Sequence, residues 1–270
     1  MKKISFLLVI LLAFASVSYA QKKEKKKKKD KTEKGNLNKK VVLRYKPKKG
    51  DVYTQILESN QKITITSMSM EMPMVQSYTF KNNVTDVDAT GNVTTEMTYE
   101  KIYAKQSNPM TGAELEFDSE DEKKQSTELA SLKDMKGKKV TTTTATNGKI
   151  TNISEESAKQ ALNSMSNEFP ETPLGIGDTW EKTSENKSQV GVLVTKSTYK
   201  VVERKDGLMI VEVSSVISQD GKDAGTQTGK MTLDENTGIV LESSLTQKLS
   251  VSTQGMDIVV DGTSKITTKK

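Results

Sequence analysis

From Val41 onward, apolar and polar residues alternate with a period of two, as in Lys62-Ile63-Thr64-Ile65-Thr66, Val140 to Ala145 and Val190 to Val194. A strand turns successive side chains to opposite faces, so this pattern predicts sheet with one apolar and one wet face. Turn residues punctuate it at strand-sized intervals: Asp88-Ala89-Thr90-Gly91, Asn147-Gly148, Lys205-Asp206-Gly207, Asp220-Gly221 and Asn236-Thr237-Gly238. Asn147-Gly148 is the strongest hairpin signal, because both residues tolerate positive φ. One helix interrupts the strands near 154–167. Ser154 is placed to cap it, Ala158, Ala161, Leu162 and Met165 share a face, and Phe169-Pro170 ends it. A weaker helical turn is predicted over Glu128 to Met135, before Gly137.

The chain echoes itself. Lys49-Gly50-Asp51-Val52-Tyr53 returns as Ile176-Gly177-Asp178-Thr179-Trp180, a Gly-Asp-x-aromatic motif opening a strand. Tyr78-Thr79-Phe80 is echoed by Thr198-Tyr199-Lys200, and Thr111 to Asp118 by Thr228 to Asp234. Three matches in the same order point to two related meander units, about 41–120 and 171–262. The expected fold is therefore all-β and mainly antiparallel. A curved sheet or open half-barrel would form one domain over 39–270, with the 154–167 helix covering its apolar mouth.

The first forty residues are of another kind. Lys2 and Lys3, the apolar run Ile4 to Ala15, and Ser18-Tyr19-Ala20 form a signal peptide over 1–20. The run is too short to span a bilayer comfortably, and no later segment approaches the required length of about 20 residues. The mature chain is expected to be exported and not transmembrane. Its place is the periplasm or the extracellular or outer-membrane surface. A lipoprotein anchor needs a cysteine, and the chain has none.

Charge follows the same division. The formal net charge is +6. Residues 21–40 nevertheless hold eleven lysines against three acids, which leaves 41–270 mildly acidic. The lysine run predicts disorder over 21–38, and the Lys22–Lys40 region offers contact with an anionic envelope surface. No aromatic residue interleaves the lysines, so nucleic acid is not an expected partner.

Composition also limits the chemistry. With no histidine and no cysteine, a Ser-His-Asp or Cys-His centre and a His-ligated zinc site cannot be built. No catalytic residue, metal or cofactor is assigned. Met68, Met70, Met72 and Met74 are the candidate ligand-lining residues, because a spacing of two puts them on one face of an extended chain. Thioethers bind Cu(I), but without His or Cys beside them they fit an apolar lining better. Pro73 cannot donate to a ladder and places the segment at an edge or rim. The acids Asp118, Glu120, Asp121 and Glu122 read as a solvated loop. Gly50, Asp51, Tyr53, Gly177, Asp178 and Trp180 read as structural, with aromatic plugs beside local turn hydrogen bonds.

Lys49-Gly50-Asp51-x-Tyr53, the Met-rich strand, and Phe169-Pro170 leading to Gly175-x-Gly177-Asp178-x-Trp180 resemble an uncharacterised family of exported Gram-negative envelope proteins, a domain of unknown function. The layout is more distantly similar to periplasmic carriers of lipoproteins and lipids, which implies a half-barrel holding an acyl chain under a helical lid. The leading expectation is a non-catalytic envelope protein that binds an apolar or lipid-like ligand. The alternative is an interaction module docking through strand edges and the Lys-rich tail; a carboxylate hydrolase ranks last. A continuous apolar cavity beneath the helix would favour the carrier, and a filled core the module.

Overall fold

A computed structural model describes residues 39–108, 111–188, 191–253 and 255–270. The signal peptide expected over 1–20 and the disorder expected over 21–38 fall outside these residues, as do the side chains of Ala161 and Met165. The strands are β1 (Val52–Ile65), β2 (Met70–Val87), β3 (Val93–Ser107), β4 (Glu114–Asp118), β5 (Asp121–Gln125), β6 (Lys139–Thr144), β7 (Ile150–Ile153), β8 (Thr179–Ser188), β9 (Gly191–Lys205), β10 (Leu208–Gln219), β11 (Lys222–Asp234), β12 (Val240–Thr253) and β13 (Met256–Lys269). Helix α1 covers Glu156–Met165, and 3-10 turns occupy Thr66–Met68 and Thr127–Met135.

All thirteen strands join one antiparallel sheet, eleven of them in the order β5-β4-β3-β2-β1-β13-β12-β11-β10-β9-β8, with β6 and β7 off this path. On the side away from β2, β3 holds β4 with its second half and the β6–β7 hairpin with its first. Chain-terminal β13 pairs with β1, and among the described residues the end strands β5 and β8 pair only with β4 and β9, so the sheet is not closed into a barrel. The Asn147-Gly148 hairpin forms as expected, with the Ala145 N–H donating to Lys149 O at 2.8 Å and Gly148 at φ 86°.

The helix start differs from expectation. Ser154 does not cap α1: the residue before the helix is Glu155, and no side chain caps it. The Ser154 hydroxyl instead accepts the Thr141 N–H at 2.9 Å, and its own N–H donates to Thr141 O. Pairing with β6 takes the group that a free helix start would have used.

The two Gly-Asp motifs share one geometry. Asp51 accepts the Lys48 N–H, and Asp178 accepts the Gly175 N–H, each through Oδ2. Gly50 donates to Val84 O while Val84 donates to Asp51 O; Gly177 and Val201 repeat the arrangement with Asp178. Both glycines have φ near +90°, where a side chain is strained. Each motif thus turns the chain into a strand (β1 or β8) and pairs it at once with the next.

Candidate functional site

In an antiparallel sheet directly opposed residues face the same way, so the register can be read as rows running across the strands. One face is exposed. Its central row is a ladder of hydroxyls: Thr198, Ser214, Thr228, Thr246 and Thr263, ending at Asn60. The row beside it alternates in sign, with Lys230 on Glu212 at 2.9 Å and Lys265 near Glu58 at 4.0 Å. These rows line an open groove of about 980 Å³. Its acids Glu58 and Glu212 stand four strands apart, about 19 Å along the sheet at the usual strand spacing. Each is matched by a lysine, so the pair lacks the free charge that glycosidase carboxylates use.

The other face is buried, and it is divided into layers. At the end where the strap 39–50 and α1 lie, Leu43, Phe169, Trp180, Tyr199, Val211 and Leu233 belong to one apolar cluster. Leu57, Tyr78, Phe80, Ile102, Phe117 and Leu162 belong to a second. Trp180 stacks on Tyr199 with ring centroids 4.9 Å apart, and its Nε1 donates to Glu168 O at 3.1 Å. Tyr53 meets Tyr45 hydroxyl to hydroxyl at 3.1 Å, and burial pushes its phenol well up from the ordinary value. The space beneath Leu162 of α1, between Tyr53, Phe80 and Phe169, is about 140 Å³. Ligand pockets run from about 300 to 1,000 Å³. The mouth under the helix is therefore filled by aromatic side chains rather than left as a cup.

At the opposite end, where the β1–β2, β10–β11 and β12–β13 hairpins turn, lies a separate apolar layer. It contains Ile63, Ile65, Met72, Met74, Leu193, Ile217, Leu249, Val251 and Val260, with Met70, Met256 and Ile258 packed against it. Every member lies on a strand. Strand residues bury one another here with no helix among them, which a flat sheet cannot achieve. The sheet curls.

Of the four methionines expected to line a ligand site, the structure brings three together. Met72 and Met74 are buried and Met70 is half-buried, paired across β1 with Ile63, Gln61 and Ile65 respectively. Met68 departs from the expected shared face. It sits in the Thr66–Met68 3-10 turn and is 52% exposed, because Ser69 takes a left-handed conformation (φ 49°) that breaks the extended chain. Pro73 lies on β2 opposite Lys62 of β1 and just short of Met74, where pairing with β3 begins.

Between the two ends runs a feature that the sequence reading missed. Row by row across β8, β9, β10, β11, β12, β13 and β1, the buried face presents Lys182, Ser197, Ser215, Gln227, Gln247, Gly262 and Gln61. The adjoining row adds Ser59 and Gln76. Ser197 and Ser215 bond hydroxyl to hydroxyl at 2.8 Å, and Gln227 Nε2 donates to Gln247 Oε1 at 3.4 Å. Lys182 closes one end, donating to Ser166 O at 2.5 Å and to Ser166 Oγ at 3.0 Å, while burial lowers its pKa from the ordinary lysine value. A polar belt thus cuts the apolar interior in two.

Residues 151–240 match DUF6263, a family of unknown function. The match is one third of the chain and includes Phe169-Pro170 and the second Gly-Asp motif; the motif resemblance spans more, about 41–262. No curated protein is significantly similar. Among solved structures, one titled "Lipid-protein interactions in lipovitellin" is 10% identical with a TM-score of 0.53, covering 83% of this chain and 25% of that one. The chain therefore spans about a quarter of that protein, and the likeness is one of fold. A putative outer membrane lipoprotein-sorting protein domain from Vibrio parahaemolyticus is 7% identical, covering 77% of this chain and 83% of its own, with a TM-score of 0.16. A DUF1329 family protein from Desulfovibrio piger is 7% identical over the same shares, at 0.18. At those scores no common fold is established.

Proposed function

We propose that this chain is an exported, non-catalytic envelope protein that binds an apolar, lipid-like molecule on the buried face of its sheet. The ligand lies in the methionine-bearing layer between the polar belt and the hairpin tips. One observation carries the reading: that layer is apolar, built wholly from strand residues, and set off from the rest of the core by a row of polar side chains that is uncharged except at its Lys182 end. A core selected for stability alone would be continuous, because buried polar groups cost free energy unless fully paired. Flexible thioethers at Met70, Met72 and Met74 suit a wall that must adapt to its contents. The fold shared with the lipovitellin structure, whose title concerns lipid–protein interactions in that protein, agrees with such a use of a large open sheet.

The filled space under the helix counts toward the alternative, docking through strand edges, but the edges themselves do not favour it. The edge strand β8 exposes Glu181, Thr183, Glu185 and Lys187, and β5 exposes Glu122, Lys123 and Lys124. Charged edges of this kind deter strand addition. Lys40, at the end of the basic segment, is held by Asp178 at 2.8 Å, so an anionic surface would be met by lysines earlier in the chain.

Native mass spectrometry of protein isolated from the envelope tests the proposal. A bound species that organic solvent extracts is expected. Protein that carries no such species, and that takes up no fluorescent acyl probe, would overturn it.

A further inference from the structure

Three belt side chains carry a buried polar atom that no described residue bonds. Ser59 Oγ, Gln76 Oε1 and Gln247 Nε2 are buried without a hydrogen-bond partner among the described residues, in side chains that are 5%, 5% and 6% exposed. Ser59 and Gln76 are directly opposed across β1 and β2. Gln247 lies two strands from β1 in the neighbouring row, across Gly262 from Gln61. A Cβ at position 262 would come within 2.7 Å of Gln61 Cγ, so the absent side chain leaves Gln61 room to lie across the wall. Unpaired buried donors and acceptors are rare in folded proteins and call for a partner. The set is specific: Gln76 offers an acceptor, Gln247 a donor, and Ser59 both. None of the three is charged. Lys182, the cation in the row, is already bonded to the Ser166 carbonyl.

We infer that the ligand is an amphiphile: an acyl chain bearing an uncharged group that both donates and accepts hydrogen bonds, such as a hydroxylated ester or an amide. The inference rests on the apolar-ligand reading above and adds its chemical class. The acyl chain lies among Ile63, Met72, Met74, Leu249 and Val260. Its polar group sits at the belt, with an O–H or N–H donating to Gln76 Oε1 and a carbonyl accepting from Gln247 Nε2. A carboxylate or phosphate finds no free cation there and would leave the Gln76 acceptor facing negative charge.

Titration calorimetry with three probes of equal chain length tests this: a monoacylglycerol, the methyl ester and the free fatty acid. The monoacylglycerol is expected to bind about tenfold more tightly than the methyl ester, which accepts but cannot donate. In the Gln76→Leu/Gln247→Leu variant the two esters should bind equally, the methyl ester more weakly than to the unaltered protein because its carbonyl loses the Gln247 donor, and the monoacylglycerol losing more. Replacing these groups by apolar ones of similar shape is expected to leave the fold intact; if the double variant does not fold, Gln76→Met alone should still abolish the preference. Equal binding of both esters by the unaltered protein would overturn the inference, leaving a belt satisfied by ordered water. So would preference for the free acid, or a preference for the monoacylglycerol that survives substitution. Failure of all three probes would overturn the apolar site itself, which distinguishes the two readings.

Discussion

Arg204 grips Glu235 through two hydrogen bonds, Nε to Oε1 at 2.5 Å and Nη2 to Oε2 at 3.0 Å. The side chains are only 9% and 14% exposed, and Arg204 Nη1 also donates to Lys39 O. One guanidinium thereby ties the end of β9, the β11–β12 turn and the start of the strap. Removing it strands a carboxylate where water is scarce. Arg204→Met should cost about 2–3 kcal/mol, less than the ~3–5 kcal/mol of a fully buried pair. Arg204→Met/Glu235→Leu should recover much of that loss. Urea unfolding of the three proteins checks both, and a double variant no better than Arg204→Met would contradict the account.

Trp180, the single tryptophan, does two jobs in its packing: it stacks on Tyr199 and donates to the Glu168 carbonyl. Trp180→Ala should cost about 3–5 kcal/mol through the cavity it leaves. Trp180→Phe should cost less, since it keeps a ring on Tyr199 but orphans Glu168 O. Thermal unfolding followed by circular dichroism ranks the two; a phenylalanine variant as unstable as the alanine one would show that stacking contributes little.

Gly148 tests the hairpin that the sequence announces most clearly. Its φ is 86°, and a Cβ there would fall 1.9 Å from Asn167 O, in the segment that follows α1. Phe169 N–H donates to Asn147 O at 2.7 Å in the same contact. Gly148→Ala should therefore destabilise the protein by more than about 1 kcal/mol. Loss of amide-exchange protection should centre on β6, β7 and the 166–169 segment, and protection unchanged there would contradict this.

Asp88 organises the β2–β3 turn. Its Oδ1 accepts the Thr90 N–H at 2.8 Å, the Thr90 hydroxyl at 2.7 Å and the Asn92 N–H at 2.9 Å, and its Oδ2 accepts Asn92 Nδ2 at 2.8 Å. The Thr90 and Asn92 side-chain bonds, foremost, hold its pKa at about 2 against an ordinary 3.8. A depressed folded value means that the turn is stabilised above the ordinary pKa and loses that support as pH falls toward 2. Amide resonances of Thr90 and Asn92 should titrate with a midpoint near 2 and be flat in Asp88→Asn. A midpoint near the ordinary carboxylate value would show that the bonds are not kept in solution.

The local punctuation of the chain was legible before any coordinates. Asn147-Gly148 and Asp206-Gly207 demand positive φ, and those residues other than Asn147 adopt it. Period-two alternation marked the strands, and the Ala158/Leu162 face marked the helix that packs on the second cluster. Ser154 was misread because a serine before a helix looks the same in sequence whether its hydroxyl serves the helix or a neighbouring strand. Met68 was misread because a left-handed Ser69 has no strong signal; serine is not a residue that announces φ above zero.

By itself the sequence determined strands, turns, helix and the two Gly-Asp openings, because each depends on residues within a few positions of one another. Which strands lie side by side, and in what register, was decided by the tertiary structure. Gln61, Gln227 and Gln247 each look like a single lapse in an apolar face. They become a belt only when β1, β13, β12 and β11 align so that they fall in one row. A shift of one residue in any pairing would turn one of them to water. Alternation says that a strand has two faces; only the pairing of distant strands says what gathers on the one that is hidden.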